Sequence, residues 1–256
     1  MTDVARLGLL ALFGLAVGSF LNVCIYRLPL RESLARPASH CTACDRPLAW
    51  FENIPLASWI VLGGRCRTCR APVSVRYPIV ELVTAVMFVG SYVAYGWSPI
   101  LAARLPFGCA MVVLFAIDLQ HQILPNVVTV PGIVAGFLFS LALPPGWASS
   151  LAGLALGGVG LYLIAEGYYR LRGIEGLGMG DVKMLAMIGA FLGWKLMLVT
   201  LVLASLTGSI VGLAIVASGR GDMKAALPFG TFLAAGALAS SVAGDWLMHW
   251  YLSLYP

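Results

Sequence analysis

Eight times along the chain a long apolar stretch passes with almost no charge: residues 7–26, 78–95, 100–117, 123–143, 151–168, 182–194, 196–218 and 227–251. About 20 such residues carry an α-helix across the roughly 30 Å hydrocarbon layer of a bilayer. Lipid offers nothing to hydrogen-bond a bare backbone, so only helices and closed barrels can span it. The fold expected is therefore an all-α polytopic membrane protein of about eight transmembrane helices. With 60% hydrophobic residues and a mean hydropathy of +0.92, the chain is too apolar for a soluble domain of its size. The first run has the look of a signal peptide, but it is long enough to span and no small-residue cleavage site precedes Arg27, so it is read as the first transmembrane helix.

The net charge of +5 does not point to nucleic acid, because the basic residues are gathered by topology. Arg27, Arg31, Arg36, Arg46, Arg65, Arg67, Arg70 and Arg76 all fall between the first and second runs. The positive-inside rule makes that loop cytoplasmic and the N-terminus external. Threading the runs alternately leaves Arg170, Arg172, Lys183, Arg220 and Lys224 inside and Arg6, Arg104 and Lys195 outside.

That loop carries Cys41-Thr42-Ala43-Cys44 and Cys66-Arg67-Thr68-Cys69. Two Cys-x-x-Cys knuckles at this separation suit the tetrahedral four-thiolate shell of structural zinc, which leaves no open position for chemistry. A redox pair and idle thiols are the other readings, and disulfides are disfavoured in a reducing compartment. Leu48, Trp50, Ile54, Leu56 and Trp59 would give the loop a small core or a face resting on the membrane. The expected organisation is a first helix over 1–28, a zinc-ribbon-like cytoplasmic module over 29–77 and a transmembrane bundle over 78–256. Cys24 and Cys109 lie in apolar runs and are read as ordinary buried thiols.

Gly176-Leu177-Gly178-Met179-Gly180-Asp181-Val182-Lys183 sets a carboxylate at the edge of a short apolar run, and Asp118 ends another run in the same way. An acid in hydrocarbon costs about 2.5–3.5 kcal/mol even on the lenient insertion scale, so it is expected to face a cavity or a partner. Two carboxylates sharing a site also share a proton, which equips them to activate water as an acid/base pair. The glycines would let the backbone take positive φ and run close to a bound peptide; the plain alternative is a hinge. A nucleotide fingerprint is excluded, since no βαβ unit surrounds them. The run 182–194 is short for a span, and Pro125 and Pro131 interrupt the start of the fourth.

The remaining polar residues carry weaker signals. Asn22 and Glu81 join a polar network, or make an interhelical hydrogen bond and a pairing with Arg76 respectively. Lys183 is a snorkelling boundary lysine or a holder of substrate carboxylates. Asp245 and His249 read as solvated, and Gly157, Gly158, Gly160, Gly230, Ala234 and Ala235 as small residues for close helix packing.

Taken together the chain resembles the type IV prepilin leader peptidases, membrane aspartic proteases of type IV pilus and type II secretion systems. The resemblance lies in Gly18-Ser19-Phe20-Leu21-Asn22-Val23, Tyr26-Arg27-Leu28-Pro29, the cysteine knuckles, Asn53-Ile54-Pro55, and Arg76-Tyr77-Pro78 followed by Glu81. It continues in Asp118 with Leu124-Pro125, in Glu175-Gly176 leading to Gly178-Met179-Gly180-Asp181 and Lys183, and in Pro228-Phe229-Gly230. Asn126 departs from the pattern, where many relatives carry an aspartate. The resemblance implies catalysis by Asp118 and Asp181, with Gly178, Gly180, Lys183 and Glu81 binding substrate or shaping the site. It further implies removal of a basic leader after a glycine from prepilins or pseudopilins, on the cytoplasmic face of a bacterial inner membrane. S-adenosylmethionine-dependent N-methylation of the new terminus comes from the resemblance alone. A proton-coupled transporter and a non-catalytic assembly factor are the rival readings; the first requires no cysteine-rich module.

Overall fold

The computed structural model describes residues 3–173, 178–218 and 227–253. Among these the chain is helical, with two isolated bridges in the cysteine loop and no strand. The expected fold class holds, and the eight apolar runs correspond in order to eight helices. Residues 174–177 and 219–226, which include Glu175, Gly176, Arg220 and Lys224, lie outside the described residues.

The helices are α1 (Asp3–Leu30), α2 (Arg76–Tyr95), α3 (Ile100–His121), α4 (Asn126–Ser140) and α5 (Trp147–Arg172), the last with a π-helical stretch at Ala155–Gly160. Met179–Ala217 is one helical run interrupted at Gly193, whose φ of 77° and ψ of 172° are not helical. It is therefore two helices, α6 (179–192) and α7 (194–217), followed by α8 (Phe229–Ser253). Six runs, Met179–Ala217 counted whole, are long and apolar enough to cross a membrane. The chain is a multi-pass membrane protein.

It divides into two compact units, Met1–Trp97 and Ser98–Pro256. In the first, α1 and α2 pack along a seam of small residues. A Cβ on Gly14 would stand 2.7 Å from the Ala85 Cα, and one on Gly18 the same distance from the Glu81 Cα. This four-residue glycine spacing lets two backbones approach where lipid supplies no hydrophobic drive to bring them together. Asn22 ties the seam by donating from Nδ2 to the Tyr77 carbonyl at 3.0 Å, the expected interhelical bond. Arg27 is buried and donates to the Ser33 and Pro37 carbonyls, folding the start of the loop back on the helix end.

The second unit is built around α6, which is buried on every side from Met184 to Gly193. A helix apolar all round belongs in a core. Gly180 and Gly230 both abut Leu124, and Gly212 abuts Leu227, whereas Gly193 abuts Pro145 and Gly244 abuts Leu196. Hence α6 runs away from the Leu124 end and α7 returns to it. The short run anticipated over 182–194 is thus one arm of a helical hairpin, and its 14 residues reach only about 21 Å. Gly153 and Gly189 meet backbone to backbone where α5 crosses α6, with no room for a Cβ on either. Gly157 serves the same crossing, while Gly160 has open space around it. Pro131 does not break α4, which continues through it; the interruption lies at Pro125, extended at ψ 126°.

Candidate active site and metal centre

The last turn of α3 carries Asp118. The helix stops because Gln122 turns left-handed at φ 52° and donates its N–H to the Asp118 carbonyl at 2.8 Å. This leaves the carboxylate at a helix end, 4% exposed. Its Oδ2 accepts from the Thr231 N–H at 2.6 Å and from the Thr231 hydroxyl at 3.0 Å; Oδ1 accepts nothing from the described residues. The close approach depends on Gly230, because a Cβ there would lie 3.0 Å from the Asp118 carboxyl carbon.

Asp181 occupies the first turn of α6, after Gly178 in extended conformation. Its N–H donates to the Gly178 carbonyl at 3.1 Å, and unpaired N–H groups at a helix start favour an acid there. Leu124 joins the two carboxylate segments, since it touches Gly180 on one side and Gly230, against Asp118, on the other.

The glycines act differently from the sequence expectation. Neither Gly178 nor Gly180 has positive φ. Instead they make room: a Cβ on Gly178 would meet the Asp181 carboxylate at 3.2 Å, and one on Gly180 would meet Leu124 at 3.0 Å. Lys183 donates to the Asn126 side chain at 2.9 Å, so the residue that departs from the family pattern has a partner. Asp245 and His249 are exposed, as expected. Neither residue type nor spacing marks Thr231 and Leu124 as site residues. The available signal was a hydroxyl directly after Pro228-Phe229-Gly230, at the start of an apolar run.

Glu81 stands in the other unit, in the first turns of α2, 6% exposed. Its Oε2 accepts the Leu56 N–H at 2.8 Å. Leu56 has φ 57° and ψ −51°, an unfavourable conformation for a residue with a side chain, costing about 1–3 kcal/mol. The carboxylate thus helps hold a strained corner of the loop.

In that loop the two knuckles are near copies. The Cys41 N–H donates to the Arg46 carbonyl and the Cys66 N–H to that of Ala71, both at 2.9 Å. Asp45 and Arg70, each four residues after the first cysteine, turn left-handed at φ 54° and 59°. All four sulfurs lie within 4.8 Å of one another, with Cys41 and Cys69 3.8 Å apart. Ligands at about 2.3 Å from a tetrahedral zinc stand about 3.8 Å apart, so the cluster fits a metal ion. Beside it, Arg46 grips Glu52 through two hydrogen bonds of 3.0 and 2.7 Å. That grip, with the Ala49 N–H, holds the Glu52 carboxyl down to about 2. The apolar residues of the loop divide: Leu48, Leu56 and Trp59 are partly buried, whereas Trp50 and Ile54 are exposed, with Ile60 and Val61.

Two families match the chain, the Bacterial Peptidase A24 N-terminal domain over residues 12–95 and the Type IV leader peptidase family over 105–213. A curated protein of Myxococcus xanthus, named prepilin leader peptidase/N-methyltransferase, is 45% identical over 82% of this chain, a match spanning 64% of its own length. Proteins of the same name from Aeromonas hydrophila and Pseudomonas putida are 38% and 33% identical, covering 96% and 93% of this chain and 93% and 90% of theirs. No solved structure matches.

Proposed function

The chain belongs to the type IV leader peptidase family, a family of aspartic peptidases, and from that premise we propose that it removes the leader of prepilins or pseudopilins with Asp118 and Asp181 as its catalytic pair. The observation that carries the reading is that Leu124 lies against the Asp181 segment at Gly180 and against the Asp118 segment at Gly230, at one end of the second unit.

A water held between the carboxylates loses a proton to one of them as its oxygen attacks the scissile carbonyl, and the other carboxyl protonates the departing amine. Thr231 occupies Oδ2 of Asp118 with two donors, which leaves Oδ1 as the oxygen for the water. The surrounding apolar packing keeps the dielectric low and strengthens each of these interactions. By the charge rule, Arg170 and Arg172 support a cytoplasmic setting for this end of the second unit, in a bacterial inner membrane. There the anionic surface would retain a basic leader outside the span it precedes.

The relatives' shared name extends the proposal to N-methylation of the newly exposed terminus, with S-adenosylmethionine supplying an electrophilic methyl group. When bound, that donor would give its methyl group to the terminal amine, which would shed one proton as the thioether is released. The metal held by Cys41, Cys44, Cys66 and Cys69 is zinc in this reading, and its role is structural because four thiolates complete the shell.

The test is leader removal from a prepilin by the purified protein in detergent, read by product mass. Asp118→Asn and Asp181→Asn should each lower the rate by about 10³-fold or more. Robust cleavage by either variant would end the dyad assignment.

A further inference from the structure

We propose that the corner of the cysteine loop formed by residues 50–62 lies in the bilayer surface, its apolar side chains inserted among the phospholipids that surround α1 and α2 and its neighbouring arginines set against their phosphates.

The corner is fixed at a depth. The Leu56 N–H reaches the Glu81 carboxylate at 2.8 Å, and Glu81 lies about 7 Å along α2 from Arg76, where the helix begins. On α1 the matching level is that of Gly18, which packs against the Glu81 backbone and sits well inside the apolar run 7–26. Leu56 therefore stands beside the membrane-spanning segments, not beyond their ends. The short helix Ala57–Val61 starts there and is only about 7.5 Å long, so Ile60 and Val61 stay near that level. The turn Trp50–Asn53 packs on the same short helix.

What the corner turns outward is apolar. Trp50 is 80% exposed, Ile60 68% and Val61 83%, and Phe51 and Ile54 are exposed with them. Large apolar side chains bared together mark a surface that meets a partner or a membrane. No charge interrupts them, because Glu52, the one ionisable residue from 50 to 62, is buried against Arg46. On either side of Glu81 the lipid-facing surface of α2 continues in Ile79, Leu82 and Val83, all exposed.

The basic residues follow directly. Arg65, Arg67 and Arg70 are exposed, and the Arg67 guanidinium lies over the Phe51 ring, 5.5 Å from its centroid. Over residues 29–77 seven arginines outnumber three acids. An apolar surface that carries tryptophan and is flanked by arginine has the chemistry of an interfacial segment, and a guanidinium matches a phosphate. Lipid is the occupant rather than a dissolved protein because both ends of the loop run into membrane helices. The leaflet is thus tethered to this surface at an effective concentration that a free partner does not reach.

The experiment uses the full protein in phospholipid vesicles. Trp50 is one of seven tryptophans, so its emission is taken as the difference between wild type and Trp50→Phe. An interfacial face sinks about 5–10 Å into the headgroup and acyl boundary, so chains brominated near the headgroup should quench that difference by about half or more. Ile60→Asp combined with Val61→Asp, both at exposed sites, should relieve the quenching and leave the bound metal unchanged. In a separate arm, p-benzoylphenylalanine in place of Val61 should form lipid adducts on irradiation, read by mass; this arm stands even if Trp50→Phe disturbs the loop. Trp50 emission indifferent to bromine overturns the proposal, as does quenching that the paired aspartates leave untouched. Adducts with a second copy of the chain in place of lipid assign the surface to self-association and overturn it too.

Discussion

The cysteine loop and the aspartate site fix their chemical groups in opposite ways. The loop gathers its four sulfurs from within 28 residues of sequence, using paired left-handed turns and backbone hydrogen bonds that recur in both knuckles. The aspartate site joins Asp118 to Thr231 across 113 residues, and it depends on the burial of α6 to bring the segments together. One is a local arrangement that an ion would lock; the other is a consequence of helix packing.

The largest expected consequence of that difference follows metal removal. Structural zinc contributes about 10–16 kcal/mol of apparent binding energy in small modules, and that energy is folding energy. Chelation should open residues 40–73 to protease while residues 98–173 keep their resistance, as read by limited proteolysis and mass. Loss of protection in both regions together would break the contrast.

The next effect lies in the other region. Thr231→Val deletes one of two donors to Asp118 but keeps the backbone N–H. A hydrogen bond to a carboxylate is worth about 1.5–3 kcal/mol, so kcat should fall about tenfold or more, with KM little changed. Thr231→Ser should restore the rate, and metal content should not move. An unchanged kcat for the valine variant would reduce Thr231 to a helix-start residue.

The smallest effect tests packing itself. Gly189→Ala sets a methyl group against the Gly153 backbone, an overpacking expected to cost about 1–3 kcal/mol in thermal unfolding of the detergent-solubilised protein. A variant as stable as wild type would mean that the α5–α6 crossing yields, and that the aspartate site is less dependent on its core than the contrast requires.

The same contrast explains what could be read from the chain alone. Cys-x-x-Cys repeats, apolar runs of spanning length and Asp118 and Asp181 at run ends are local patterns imposed by metal geometry and by hydrocarbon. Thr231, Leu124 and the Gly153–Gly189 crossing gain their meaning only from a neighbour remote in sequence. The glycines around Asp181 show an intermediate case. Their importance was visible, but the expected backbone freedom proved to be a need for space beside Leu124 and the carboxylate. Gly193, which does carry a positive φ, has no local signature, because nothing in the run 182–194 announces a reversal.

That reversal bears on how the protein enters the bilayer during synthesis. A segment of 14 residues is short of the about 20 needed to cross by itself, so 179–192 and 194–217 are expected to enter the bilayer as a pair. The depth of Asp181 would then be set by the pair, so lengthening 194–217 by a turn should shift it as surely as a change beside the acid.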